Sequence, residues 1–110
     1  MSLNAVDFDD LQMKPLLYNL ITQTILPLNE STINISKGDQ LDISFNNTLF
    51  KDYKLLVTNV SHTSLSRIKN EDISKNGFVY KIAFLTFMKE SRNIQEEDSI
   101  VKLDFKIVER

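Results

Sequence analysis

The chain has 110 residues, 42% of them hydrophobic and 25% charged, the make-up of an ordinary globular protein rather than of a disordered one. Without cysteine it offers no disulfide, zinc thiolate, iron–sulfur or thiol chemistry, and neither a metal nor a cofactor is expected. A net charge of −2, with ten lysines but only three arginines, excludes long-range steering of a polyanion, so any nucleic-acid site must be a local patch.

Asn4 to Asp10 mixes acidic and amide side chains with scattered apolar ones and is read as a loosely held terminal segment, residues 1–10. Pro15 suits the first turn of a helix, where its missing N–H costs nothing. Leu16, Leu17, Leu20 and Ile21 then form one apolar face of a short helix ending near Thr22. Thr24 to Leu28 is β-prone, and Pro27, which cannot donate to a ladder, makes it an edge strand. Ile33 and Ile35 alternate with polar neighbours before Ser36-Lys37-Gly38-Asp39, a turn in which Gly38 takes positive φ. Leu41, Ile43 and Phe45 share one face of a strand, Asn46-Asn47 turns the chain, and Tyr53 to Ser61 is a second, β-branched strand, so a hairpin is expected. Asn70-Glu71-Asp72 caps a short helix through Lys75, ended by Gly77. Val79 to Met88 is apolar at eight of ten positions, which fits a buried helix or a buried strand equally by periodicity. Val101, Leu103, Phe105 and Ile107 alternate with Lys102, Asp104 and Lys106 in a closing strand.

Two glycines, two prolines and no repeat or linker composition leave nowhere to divide the chain, so residues 1–110 are read as one domain. The longest apolar stretches, Leu16 to Ile21 and Val79 to Met88, fall short of the ~20 residues of a membrane span. No basic segment precedes an apolar one at the N-terminus, so no secretory signal is read and a cytoplasmic location is expected.

The order of features from Ile35 onward resembles the ASCH domain of the PUA-like superfamily. Ile35-Ser36-Lys37-Gly38-Asp39-Gln40-Leu41 is similar to the family's Lys-x-Gly-Asp turn into a strand, and Leu55 to Val60 to its central strand. Ser64-Leu65-Ser66-Arg67-Ile68, with Glu71 to Phe78, resembles the stretch that ends in a Gly-Phe pair. Phe84 to Met88 then stands where the family has a helix, which tips Val79 to Met88 toward helix, and Val101 to Phe105 where it has its closing strand. The fold implied is α+β, a small, mostly antiparallel PUA-like β-barrel with two or three short helices.

The resemblance also implies a role, because ASCH domains bind RNA or nucleotides in a cleft beside the barrel and some are amidohydrolases acting on a modified cytidine. Their cleft motif is Gly-x-Lys-x-Thr-x-x-Arg. Here Gln23 stands about where the Lys belongs and Leu28 where the Arg belongs, Thr24 alone resembles the pattern, and Asn76 replaces the acidic residue of the enzymes. Amide hydrolysis needs a titratable group to move a proton and a group to hold the oxyanion, and Gln and Asn supply only dipoles. The implied function is a non-catalytic module for RNA or a nucleotide.

Among the remaining residues, Lys51, Lys54, Arg67, Lys69 and Lys75 are the candidates for a local basic patch, with Tyr53 or Phe50 to stack a base. Such aromatics at strand ends more often pack into cores. His62 beside Thr63, Ser64 and Ser66 could be drawn as a base next to a hydroxyl, although a polar residue at a strand exit is the commoner outcome. Glu90, Glu96, Glu97, Asp98 and Asp104 lack calcium-loop spacing and read as solvated loops. The rival function is protein interaction or self-association into a homo-oligomer through the Pro27 edge strand, since exposed edges invite β-addition. An amidohydrolase acting through Thr24 on a modified nucleoside is the third reading.

Overall fold

The computed structural model describes residues 3–110. Alternating apolar faces build one mixed sheet from β1 (Ala5–Phe8), β2 (Gln23–Pro27), β3 (Gln40–Phe45), β4 (Thr48–Ser64) and β5 (Ser99–Glu109). The strands lie in the order β1-β3-β4-β5-β2; β1 runs parallel to β3 and the other pairs are antiparallel. The sheet curls into a half-barrel whose two edge strands, β1 and β2, face each other across an unpaired seam, and three helices flank it: α1 (Met13–Leu17), α2 (Asn70–Lys75) and α3 (Lys81–Arg92). This is the small, mostly antiparallel α+β architecture expected from the sequence.

Two apolar clusters divide the sheet faces. Val6, Phe8, Leu26, Leu41, Ile43, Phe45, Leu55, Val57, Val101, Leu103 and Phe105 fill the concave interior, as the period of two requires. On the other face Ile25 and Ile100 meet Leu65, Ile73, Phe84 and Met88, which dock α2 and α3. Neighbouring residues of β2 therefore face opposite clusters. No helix among the described residues is long and apolar enough to cross a membrane.

Local chemistry sets the connections. Asn46 and Asn47 take φ +47 and +65 between Phe45 and Thr48, which pair directly, as in a two-residue hairpin whose turn needs positive φ twice. At the end of α2, Gly77 (φ +90) donates its N–H to the Ser74 carbonyl while Phe78 donates to Ile73 at 2.9 and 3.1 Å, a Schellman closure.

Three sequence readings need correction. The stretch from Asn4 to Asp10 is not loose: Val6 and Phe8 are buried core residues on β1, and the intervening Asp7 carboxylate accepts bonds from Ser44 Oγ at 2.6 Å and the Asn47 N–H at 2.8 Å. Residues 1 and 2 of that segment lie outside the described residues. The first helix ends at Leu17, not near Thr22, because Asn19 turns left-handed at φ +61 and the Leu20 N–H folds back onto the Pro15 carbonyl. Leu16 and Ile21 are buried as expected, but Leu20 is exposed. Ile33 and Ile35 do not share a face: Ile35 is buried and Ile33 exposed, since Ile33 closes a turn onto the Asn29 carbonyl. For Val79 to Met88, helix is the outcome; α3 starts two residues later and runs on to Arg92.

Candidate site at the barrel seam

The candidate residues near β2 come together, but on two sides of the strand. Gln23 faces outward beneath α2 and is only 1% exposed. Its Nε2 donates to Asp72 Oδ1 at 3.1 Å and Asp104 Oδ1 at 2.9 Å, and its Oε1 accepts from Asn76 Nδ2 at 2.9 Å. Asn76 also donates to the Asp72 carbonyl, and Lys102 Nζ lies 3.4 Å from Asp72 Oδ1. Burial opposes ionisation of Asp72, but the bonds from Gln23 and the Lys69 N–H, with the charge of Lys102, outweigh it and hold its pKa below the ordinary 3.8. Gln23 and Asn76 thus belong to a network that ties β2, β5 and α2 together, in which both side-chain groups of Gln23 and the Asn76 amino group are already used.

Thr24 points the other way, toward the seam, where it meets a residue that the sequence did not single out. Arg92, the last residue of α3, donates from Nη1 to Thr24 Oγ1 at 2.7 Å and to the Ile25 carbonyl at 2.6 Å, and from Nη2 to the Asp7 carbonyl at 3.1 Å. One guanidinium therefore spans both unpaired edges, β2 and β1. Its carbon lies 5.9 Å from the Phe8 ring centre and 5.8 Å from that of Phe87, within cation–π range. Burial lowers its pKa to about 10, against the opposing pull of Asp7 and Asp9, so it is charged at neutral pH. Nothing local marks Arg92 in the sequence, because its partners are 67, 68 and 85 residues away; rarity is the one hint, as the chain has only three arginines.

Two spaces flank this residue. Between Gln23, Thr24, Asn76, Phe78 and Arg92 only about 10 Å³ is open, room for no more than a water molecule. On the other side of the guanidinium a groove of about 280 Å³ runs along the seam between β1, Leu26, Pro27 and Phe87. Arg92 is the partition between them.

Two turns that supply Ile21 and Phe78 to the lining of the closed pocket form an exposed rim beside it. The turn leading into β2 packs on the turn after α2: the Thr22 N–H bonds the Lys75 carbonyl at 2.9 Å, and a Cβ on Gly77 would stand 2.9 Å from Ile21. Tyr18 and Leu20 come from the first turn and Val79 and Tyr80 from the second, and both tyrosines are 71% exposed. Lys14, Lys75 and Lys81 are exposed on the helices that begin or end there.

The other candidates do not converge on this place. Lys51, Tyr53 and Lys54 lie near the β3–β4 hairpin, the last of them ten strand residues before Ser64, which is about 33 Å of extended chain. Tyr53 stacks on Phe50 with centres 6.0 Å apart and packs against the barrel core, Lys54 lies 3.9 Å from Asp42, and the Lys51 carbonyl accepts from Arg110. Arg67 ends a 3-10 turn after β4, and Lys69 precedes α2 while Lys75 ends it, so these three surround one short helix and form no patch with Lys51 or Lys54. His62 is exposed on β4, and the hydroxyls of Ser64 and Ser66 lie 3.0 Å from each other. Asp104 is bound to Gln23 and Asp98 accepts the Gln95 N–H; no group of three or more metal-ligating side chains converges among the described residues.

The half-barrel with its flanking helices superposes on an ASCH domain from Lactobacillus crispatus with a TM-score of 0.73, at 12% identity over 99% of this chain and 81% of that one. The fold is that of an ASCH domain. An Enterococcus faecalis protein of the DUF984 family also superposes on this chain, with a TM-score of 0.72 and 13% identity over 99% of this chain and 82% of its own. No family model matches the sequence, and no curated protein matches it. At such identities the shared feature is the ASCH fold itself, and the contents of the cleft are this chain's own.

Proposed function

We propose that this protein is a non-catalytic binding module for RNA or a nucleotide, held on the two packed turns that carry the exposed Tyr18 and Tyr80 and that lend Ile21 and Phe78 to the lining of the Thr24 pocket. The observation that carries the reading is the pairing of two exposed tyrosines with Lys14, Lys75 and Lys81 on adjoining turns of an ASCH-type fold. Bases stack on exposed aromatic faces, and lysines beside them meet the backbone phosphates. Lys75 is the one member of the sequence-derived basic set on this rim; Lys51, Lys54, Arg67 and Lys69 would at most extend the contact of a longer strand. Around Thr24 the polar groups are amides and a guanidinium, none of which exchanges a proton near neutral pH, and this favours binding over amide hydrolysis.

Fluorescence anisotropy with single-stranded and structured RNAs at several salt concentrations tests the proposal. We expect binding that weakens as salt rises and that falls by roughly ten-fold or more in a Tyr18→Ala, Tyr80→Ala double variant, given ~1–3 kcal/mol per stacked base. No binding of any RNA or mononucleotide at low salt would remove the proposal.

A further inference from the structure

We propose that Arg92 is a built-in occupant of a guanine-shaped slot in the seam, and that the base of a guanine nucleotide takes its place when the protein binds its ligand. This deepens the nucleotide reading by naming the base and the group it must displace.

The slot is defined by what it offers. Thr24 Oγ1, the Ile25 carbonyl and the Asp7 carbonyl are acceptors aimed at one planar group, and they receive three N–H bonds from Arg92 of 2.7, 2.6 and 3.1 Å. Phe8 and Phe87 flank that plane, as rings flank a base. Guanine offers the same three N–H donors in one plane, the N1–H and the N2 amino group being two arms of a cyclic guanidine on a flat ring that stacks, with the O6 acceptor beside N1–H. Uracil presents one donor between two carbonyl acceptors, which would face the Ile25 and Asp7 carbonyls and be repelled.

Space and charge agree with the exchange. The groove of about 280 Å³ beside the guanidinium leaves room for a ribose, while the 10 Å³ between Gln23, Thr24, Asn76 and Arg92 holds no base beside Thr24 with Arg92 in place. The nearby Asp7 carboxylate is already held by Ser44 Oγ and the Asn47 N–H, so removing the cation does not leave it without donors. Arg92 ends its helix next to Asn93, which is left-handed at φ +55, and from that last turn the side chain can swing outward without breaking a helical bond.

The test compares wild type and Arg92→Ala by thermal shift and calorimetry with three probes: methylguanidinium, GMP and UMP. The variant should melt below wild type and be restabilised by millimolar methylguanidinium and by GMP, with a preference for GMP over UMP of roughly ten-fold or more; wild type should bind GMP more weakly than the variant, because it must first expel its own side chain. Equal response to GMP and UMP, or no restabilisation by methylguanidinium, overturns the proposal. Should Arg92→Ala not fold, side-chain NMR of wild type decides: GMP must release the Arg92 Nε–H from its folded-state shift, and binding that leaves this signal unmoved overturns the exchange. The two proposals fail separately. RNA binding by wild type without any methylguanidinium effect on the variant sinks the slot alone, whereas methylguanidinium rescue with no binding of RNA or any nucleotide sinks the RNA and nucleotide reading and guanine as the occupant, leaving a slot for guanidinium itself.

Discussion

Asp72 shows how a single buried carboxylate can be stabilising. Its pKa is lower in the fold than the ordinary 3.8, so the ionised form stabilises the protein above that pH, and the contribution is lost as pH falls through the lower folded value. Asp72→Asn should therefore reduce the urea midpoint at neutral pH, and the gap to wild type should narrow as the solution is acidified below pH 3.8. Gln23→Leu removes three side-chain hydrogen bonds, taking the amide donor from both the Asp72 and the Asp104 carboxylates and leaving Asp72 only the Lys69 N–H and Lys102. A loss of about 3 kcal/mol is expected, measurable by equilibrium denaturation. The glycines separate strain from crowding: Gly38 has nothing within 4 Å of an added Cβ, whereas at Gly77 that atom meets Ile21 at 2.9 Å, and both have φ near +90. Alanine at either should cost about 1–2 kcal/mol for the left-handed backbone, with Gly77→Ala the worse because Ile21 must also move.

Connections and edges carry the element-level argument. Every described non-glycine residue with positive φ is an asparagine, at positions 19, 46, 47 and 93, so in a chain with two glycines asparagine supplies the left-handed turns. The Asn46-Asn47 turn was readable for this reason, while Asn19 and Asn93 were masked by helical patterns running up to them. β1 was missed because four residues with one acidic interruption look like a polar tail until β3 lies alongside. Phe8→Ala should cost about 3–5 kcal/mol, far more than an unstructured terminus would allow. On the outer edge of β2 Arg92 caps the Ile25 carbonyl, which leaves fewer free backbone groups for a partner strand than Pro27 alone implied. Light scattering of wild type is expected to give a 12.7 kDa monomer.

Over the whole molecule, the half-barrel leaves one seam without backbone pairing, and that seam is where polar atoms, aromatic rings and free volume coincide. A fully closed barrel would have satisfied the Ile25 and Asp7 carbonyls by strand pairing; the gap makes them available to a side chain or a ligand. In a molecule of net charge −2, the exposed tyrosines and lysines at the adjacent rim are the local patch on which the proposed contact with phosphate depends.

Periodicity and turn chemistry were enough to read β3, the second half of β4, β5, α2 and the Gly77 stop, because each depends on neighbours a few residues away and on an apolar face that must be buried somewhere. The resemblance to ASCH domains, carried by the order of those pieces, supplied the helix at α3 and the interest in Gln23, Thr24 and Asn76. It could not say that Gln23 and Thr24 turn to opposite faces of β2 with different partners, or that a distant arginine fills the space beside Thr24. Those outcomes hang on contacts between residues up to 85 positions apart, and such contacts exist only once the sheet has curled and brought its two edges within reach of one side chain.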